Sequence, residues 1–323
     1  MNNKKLYTII FLITLVITCV SGQTENQIIP GERKHMTIVT EPASLYKGYI
    51  RMGIISSYYV VDKYFDSEGQ KKYFIENAWA RTWTLQFLAQ YGITDRMQID
   101  VFIPYKNEAR YYSNLITSPV NNQDIDESWN LRGSGLGDIS ISTRYQIIQE
   151  NDRLPSLTGD IGINLPTGQK NPSEIIDDYN YKIPTGYGEV STDFRLQARK
   201  IIYPYAFKLY LDYSYSFGGN KFFTAADTVE KSFRSAPRTG IGASASILLN
   251  DWIAMTHELN YFTYAKSTLN GVQQDDGASG VSYESRLVFQ IRQFRIGEAI
   301  SLPLKAYSSG ADPIYVILVQ YVF

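Results

Sequence analysis

The chain has 323 residues, with 31 Lys+Arg against 32 Asp+Glu, 23 Gly, 12 Pro and a single Cys. One cysteine excludes a disulfide scaffold and a zinc-ribbon or CxxC centre, and a net charge of -1 lacks the basic excess of a nucleic-acid binder. Apart from Leu6 to Val20 no apolar run is long enough for a membrane-spanning helix, whereas 26 Tyr, 15 Phe and 4 Trp favour strands and membrane–water boundaries.

Met1 to Gly22 places Lys4 and Lys5 ahead of the apolar stretch and small residues ahead of Gln23, the layout of a secretory signal peptide. Its cleavage would remove Cys19, which lacks the small residue a lipobox needs at Thr18. Residues 23–45 contain Pro30, Gly31 and Pro42 without periodicity, and read as a loose periplasmic N-terminal segment. Residues 46–323 are the expected barrel. Within it, stretches of about ten residues alternate apolar and polar side chains, as a strand with two different faces requires. Tyr205 to Phe217 shows this best: Phe207, Leu209, Leu211 and Tyr213 alternate with Lys208, Tyr210 and Asp212. The pattern predicts strands over 47–61, 78–91, 97–107, 136–149, 156–165, 188–200, 205–217, 238–249, 252–266, 280–291, 294–305 and 313–323.

The connections alternate in length. Brief turns are expected at 92–96, 150–155, 201–204, 250–251 and 292–293, and longer polar loops at 62–77, 108–135, 166–187, 218–237, 267–279 and 306–312. Aromatic residues gather at both strand ends, with Trp83, Tyr213 and Tyr261 near long loops and Tyr91, Tyr205 and Trp252 near short turns. Together these features predict an all-β, transmembrane, antiparallel up-and-down barrel of about 12 strands, of the outer-membrane type, with its turns periplasmic. A soluble barrel or sandwich gives no reason for loop length to follow strand parity. Outer-membrane lipids are then the surrounding partner.

The chain ends in an apolar strand closed by Tyr321 and Phe323, which resembles the terminal signal presented to the barrel assembly machinery. Gly133-Ser134-Gly135-Leu136-Gly137-Asp138 leads into the fourth strand and Leu165-Pro166-Thr167-Gly168 closes the fifth. These motifs, around Gly135, Gly137, Asp138, Pro166, Thr167 and Gly168, resemble the outer-membrane family named for the meta pathway of phenol degradation. That resemblance implies a barrel and transport of small organic molecules. The Gly-rich run precedes a strand instead of opening a helix, so a nucleotide loop is not expected.

Strand parity places Arg51, Asp100, Lys106, Arg144, Asp160, Asp193, Arg195, Lys208, Asp212, Glu284 and Arg286 inside, as lumen-lining residues. A turn centred between Tyr203 and Pro204 sets Arg195 opposite Asp212 and Arg199 opposite Lys208. Twelve strands at about 4.8 Å spacing and 40° tilt give a Cα radius of roughly 12 Å, so that side chains leave at most a small-molecule passage. The expected function is a diffusion channel for a small organic solute, with mixed lumen charges setting selectivity. A closed structural or adhesive barrel is one alternative. The other is a lipid-modifying enzyme built on His257 and Ser285, both of outward parity. Neither catalysis nor a cofactor is expected. Asp177-Asp178 and Asp275-Asp276 read as solvated loop acids, so no metal site is expected, and nor is a nucleic-acid partner.

Overall fold

The computed structural model describes residues 44–74, 78–117, 124–170, 175–177, 180–222, 229–291 and 293–323. The expected signal peptide, the segment up to residue 43, Arg292 and Asp178 lie outside the described residues. Twelve antiparallel strands close into a barrel. They are β1 (Ile50–Val61), β2 (Trp79–Thr94), β3 (Met97–Thr117), β4 in two segments (Asp124–Leu136 and Ile139–Ile148), β5 (Ser156–Leu165) and β6 (Glu189–Ile202), followed by β7 (Tyr205–Lys221), β8 (Arg238–Asn250), β9 (Ile253–Tyr264), β10 (Ala278–Ile291), β11 (Phe294–Tyr307) and β12 (Ile314–Val322). Each pairs with its sequence neighbour. β1 also pairs with β12, from Arg51↔Val322 to Tyr59↔Ile314, which leaves the wall without a free edge.

Polarity is inverted relative to a soluble core. Apolar side chains such as Leu209, Leu211, Ile161 and Ile241 stand exposed on the outer face, whereas Arg51, Asp100, Gln98, Asp212 and Thr158 are buried. An outward apolar face with a polar interior is the arrangement a hydrocarbon surround selects. Trp83, Tyr213, Tyr261 and Tyr315 are exposed toward the long-loop end, and Tyr91, Tyr205, Trp252 and Phe323 toward the short-turn end. Tyr321 stands between the rings of Phe294 and Phe323, with centroids 4.7 and 4.5 Å away, and the Phe323 amide donates to Ile50 O. The two terminal aromatics therefore seal the β12–β1 seam at the short-turn end.

Hydrogen-bonded neighbours form rungs that climb the wall. One rung passes through Arg51, Gln90, Asp100, Ser142, Gly162, Asp193, Ser214, Arg238 and Tyr264. It starts at the short-turn end of β1 and finishes at the long-loop end of β9, so the strands are tilted throughout.

Two expectations need correction. Residues 108–135 are not simply a loop: β3 runs on to Thr117 and pairs with the first segment of β4 from Tyr105↔Leu136 to Thr117↔Asp124, forming a ribbon beyond the barrel rim. Away from lipid neither face of that ribbon need be apolar, so it carries no alternation. The last two residues of the expected loose segment are also not loose. Ser44 and Leu45 are buried, and the Leu45 amide donates to Gln98 Oε1 at 2.7 Å. At the long-loop end Lys63–Phe65, Lys71–Tyr73 and Ser309–Gly310 make a separate three-stranded sheet. There Phe65 packs with Ala306 and Ala311.

Candidate functional site: the barrel interior

Four successive strands bring Arg144, Asp160, Arg195 and Asp212 onto one rung, so their charges alternate in sign across the wall. Arg144 and Asp160 form a two-pronged pair, with Nε and Nη2 at 2.8 and 2.9 Å from the two carboxylate oxygens. This is the strong geometry for a guanidinium and a carboxylate. The Arg195–Asp212 and Arg199–Lys208 oppositions expected from the turn are both present. Asp212, however, has a closer partner. Arg238 Nη1 lies 2.6 Å from Asp212 Oδ2, whereas Arg195 Nη2 is 4.0 Å from Oδ1. The reason is Gly240, directly opposite Asp212 on β8: a Cβ there would stand 2.6 Å from Asp212 Oδ1. The vacant space lets the carboxylate lean toward β8, within reach of Arg238.

Arg195 stacks its guanidinium over the Tyr210 ring at 4.8 Å. Lys208 bonds Glu258 at 3.0 Å, and Glu258 also accepts from the Tyr210 hydroxyl at 2.8 Å. Tyr210 further contacts Asn260 Oδ1. Gly242, between them on β8, leaves room for the tyrosine. Arg286 and Glu284 pair at 2.5 Å, and Asp193 accepts from Asn164 at 2.6 Å. Lys106 stands over the Tyr187 ring at 4.5 Å. Arg199, buried, faces Glu150 at 3.5 Å.

At the short-turn end a buried chain runs from the Leu45 amide through Gln98 to Asp100, which accepts from Gln98 at 2.7 Å and Gln90 at 3.0 Å. Gln90 in turn accepts from Arg51 at 3.2 Å. Gly92 permits this entry, since a Cβ there would collide with Tyr46 O. Arg51 and Asp100 are thus packed away, whereas Arg195 and Arg238 keep 42% and 35% of their side-chain surface open inside the wall.

The sequence motifs meet at the opposite end. Asp138, between the β4 segments, accepts from the Gly168 amide at 2.9 Å and the Tyr187 amide at 2.6 Å. Thr167 Oγ1 accepts from the Ile139 amide at 2.9 Å, and Gly168 lies so close to Gly186 that a Cβ would stand 2.7 Å from its Cα. Gly137 donates to Pro104 O, keeping β4 attached to β3, while Gly135 has φ 153°. Pro166 is exposed beside this latch. The motif residues fasten loops to the rim.

His257 and Ser285 are direct cross-strand partners on the outer face, and His257 Nδ1 lies 2.6 Å from the Tyr283 hydroxyl. The loop acids Asp275 and Asp276 are engaged by Lys266 at 2.7 Å and by the Ser267 amide at 2.9 Å. Among the described residues no group of three or more His, Cys, Asp or Glu is placed to hold a metal ion.

No protein-family model matches the chain. Among solved structures it is similar to the COG4313 outer membrane channel from Pseudomonas putida F1, at 14% identity and a TM-score of 0.67, covering 92% of this chain and 100% of that one. Weaker likenesses include the translocator domain of the autotransporter NalP from Neisseria meningitidis, at 8% identity, TM-score 0.46 and coverage of 86% and 89%. The toluene transporter TbuX from Ralstonia pickettii follows at 9% identity, TM-score 0.44 and coverage of 86% and 90%. The first likeness establishes the outer-membrane-type barrel fold.

Proposed function

We propose that the protein is an outer-membrane channel through which small organic solutes diffuse, with the long loops facing outward from the cell. The observation that carries this reading is the exposure of Arg195 and Arg238 on the interior face of a closed wall. Water-accessible guanidiniums inside a barrel need interior space, and a packed scaffold has no use for it. Similarity to a protein described as an outer membrane channel agrees with this reading, as does the motif resemblance to a transport family. In the passage, alternating charges offer a polar solute successive hydrogen-bonding sites without a net trap for either sign.

The test is conductance of the purified protein in planar bilayers under a salt gradient, with liposome-swelling assays for uncharged solutes. Asp212→Asn leaves Arg195 and Arg238 without their shared carboxylate, so the reversal potential moves toward anion preference while the barrel stays folded, because water reaches both cations. A folded wild type with neither conductance nor solute uptake defeats the channel and favours a closed scaffold.

A further inference from the structure

Among the described residues, His257, four residues into β9, and Glu298, four residues into β11, stand on the outer, lipid-facing surface well away from either rim. Glu298 is exposed, lies between Leu287 and Ile317 of the adjacent strands, and among the described residues has no hydrogen-bonding or ionic partner. Ionisable groups at such depth normally find a partner, since hydrocarbon offers none. His257 is stacked on Tyr283, whose hydroxyl lies 2.6 Å from Nδ1; in the tautomer in which that hydroxyl donates to Nδ1, the ring proton sits on Nε2 and is a donor toward the lipid side.

Their relative depth follows from the register. His257, Ser285 and Ile300 share one rung across β9, β10 and β11. With about 40° tilt each rung step climbs about 3 Å toward the long-loop end, and each residue along a strand spans about 2.5 Å of depth. Two rung steps from His257 reach Ile300, and two residues back along β11 reach Glu298. The rise of about 6 Å and the fall of about 5 Å nearly cancel. His257 and Glu298 therefore lie at the same depth, roughly 12 Å apart along the wall, with Ser285 and Leu287 of β10 flanking the midpoint.

Equal depth is the condition a twofold axis along the membrane normal imposes on a self-complementary pair. We infer that this face binds a second copy of the same chain, with the axis passing between Ser285 and Leu287, Glu298 accepting from Nε2 of the partner's His257, and the reciprocal pair completing the interface. The small Ser285, Ala245 and Ala243 on the same face let two walls approach closely. A lipid acyl chain satisfies neither polar group. The inference needs only the membrane-embedded barrel and is independent of whether the lumen conducts.

The test uses full-length protein in native membranes, with Cys19→Ser as background. Leu287→Cys, treated with a short bis-maleimide, gives a cross-linked dimer, and Ile161→Cys on the far wall does not. Adding Glu298→Leu to Leu287→Cys lowers the dimer yield several-fold. This substitution makes the lipid face more apolar, so heat-modifiable migration confirms that the barrel remains folded. The exchange His257→Glu with Glu298→His restores the yield. A folded Leu287→Cys protein with no dimer, equal cross-linking at Ile161→Cys, indifference to Glu298→Leu, no recovery on exchange, or cross-links to a different protein overturns the inference.

Discussion

At Gly240 the wall presents no side chain to the interior, and the Asp212 carboxylate occupies the space. Gly240→Ala would place a Cβ 2.6 Å from Oδ1, so the carboxylate must withdraw from β8 and from Arg238. Overpacking of this kind costs about 1–3 kcal/mol, and a lowered midpoint in urea or thermal unfolding is the expected result. Because Arg238 then loses its close partner, the reversal potential of the variant should shift in the same direction as that of Asp212→Asn. An unchanged midpoint and selectivity would mean that the pair does not depend on the vacant position. Arg195 was legible in the sequence as the neighbour of Asp212, and Arg238 was not, for a geometric reason. Opposition across a short turn is fixed by counting. The choice of the closer cation depends on a missing side chain on a third strand, and linear spacing does not encode it.

Among the elements, β4 has its course set by specific contacts at its break. Its two segments meet at Asp138, whose carboxylate holds two amides from the loops after β5 and before β6. Hydrogen bonds to a charged group contribute about 1.5–3 kcal/mol each. Asp138→Ala should therefore lower unfolding stability by about 3–6 kcal/mol and raise amide hydrogen exchange at Gly168 and Tyr187, while the far strands β8 to β11 stay protected. Exchange rising evenly around the barrel would show that Asp138 does not act locally. The alternation of apolar and polar positions made most strand cores readable, because lipid on one side and a polar interior on the other impose a period of two. The β3–β4 ribbon lacked that signal for the same reason. Ser44 and Leu45 were also missed: their burial comes from Gln98 and Gly92, some fifty residues onward, and not from any local pattern.

For the whole molecule, the orientation proposed above rests on loop parity. A cysteine at Val272, in an exposed long-loop hairpin, should react on intact cells with an impermeant thiol reagent, and one at Asp251, in the short β8–β9 turn, should react only after the outer membrane is breached. The opposite labelling would invert the barrel. Fold class and strand number were legible because they follow from composition, periodicity and connection length taken together. The interior charge pattern was legible only as a list of inward residues, since their pairing depends on how adjacent strands slide past one another. The buried entry at Leu45 also bears on how the seam can open. Ser44 Oγ donates to Asp95 O and the Leu45 amide to Gln98 Oε1, so the foot of β1 is tied to the β2–β3 hairpin by contacts that do not involve β12. Fraying of β12 from the seam therefore need not release β1, and the two sides of the closure are unequally anchored at the short-turn end.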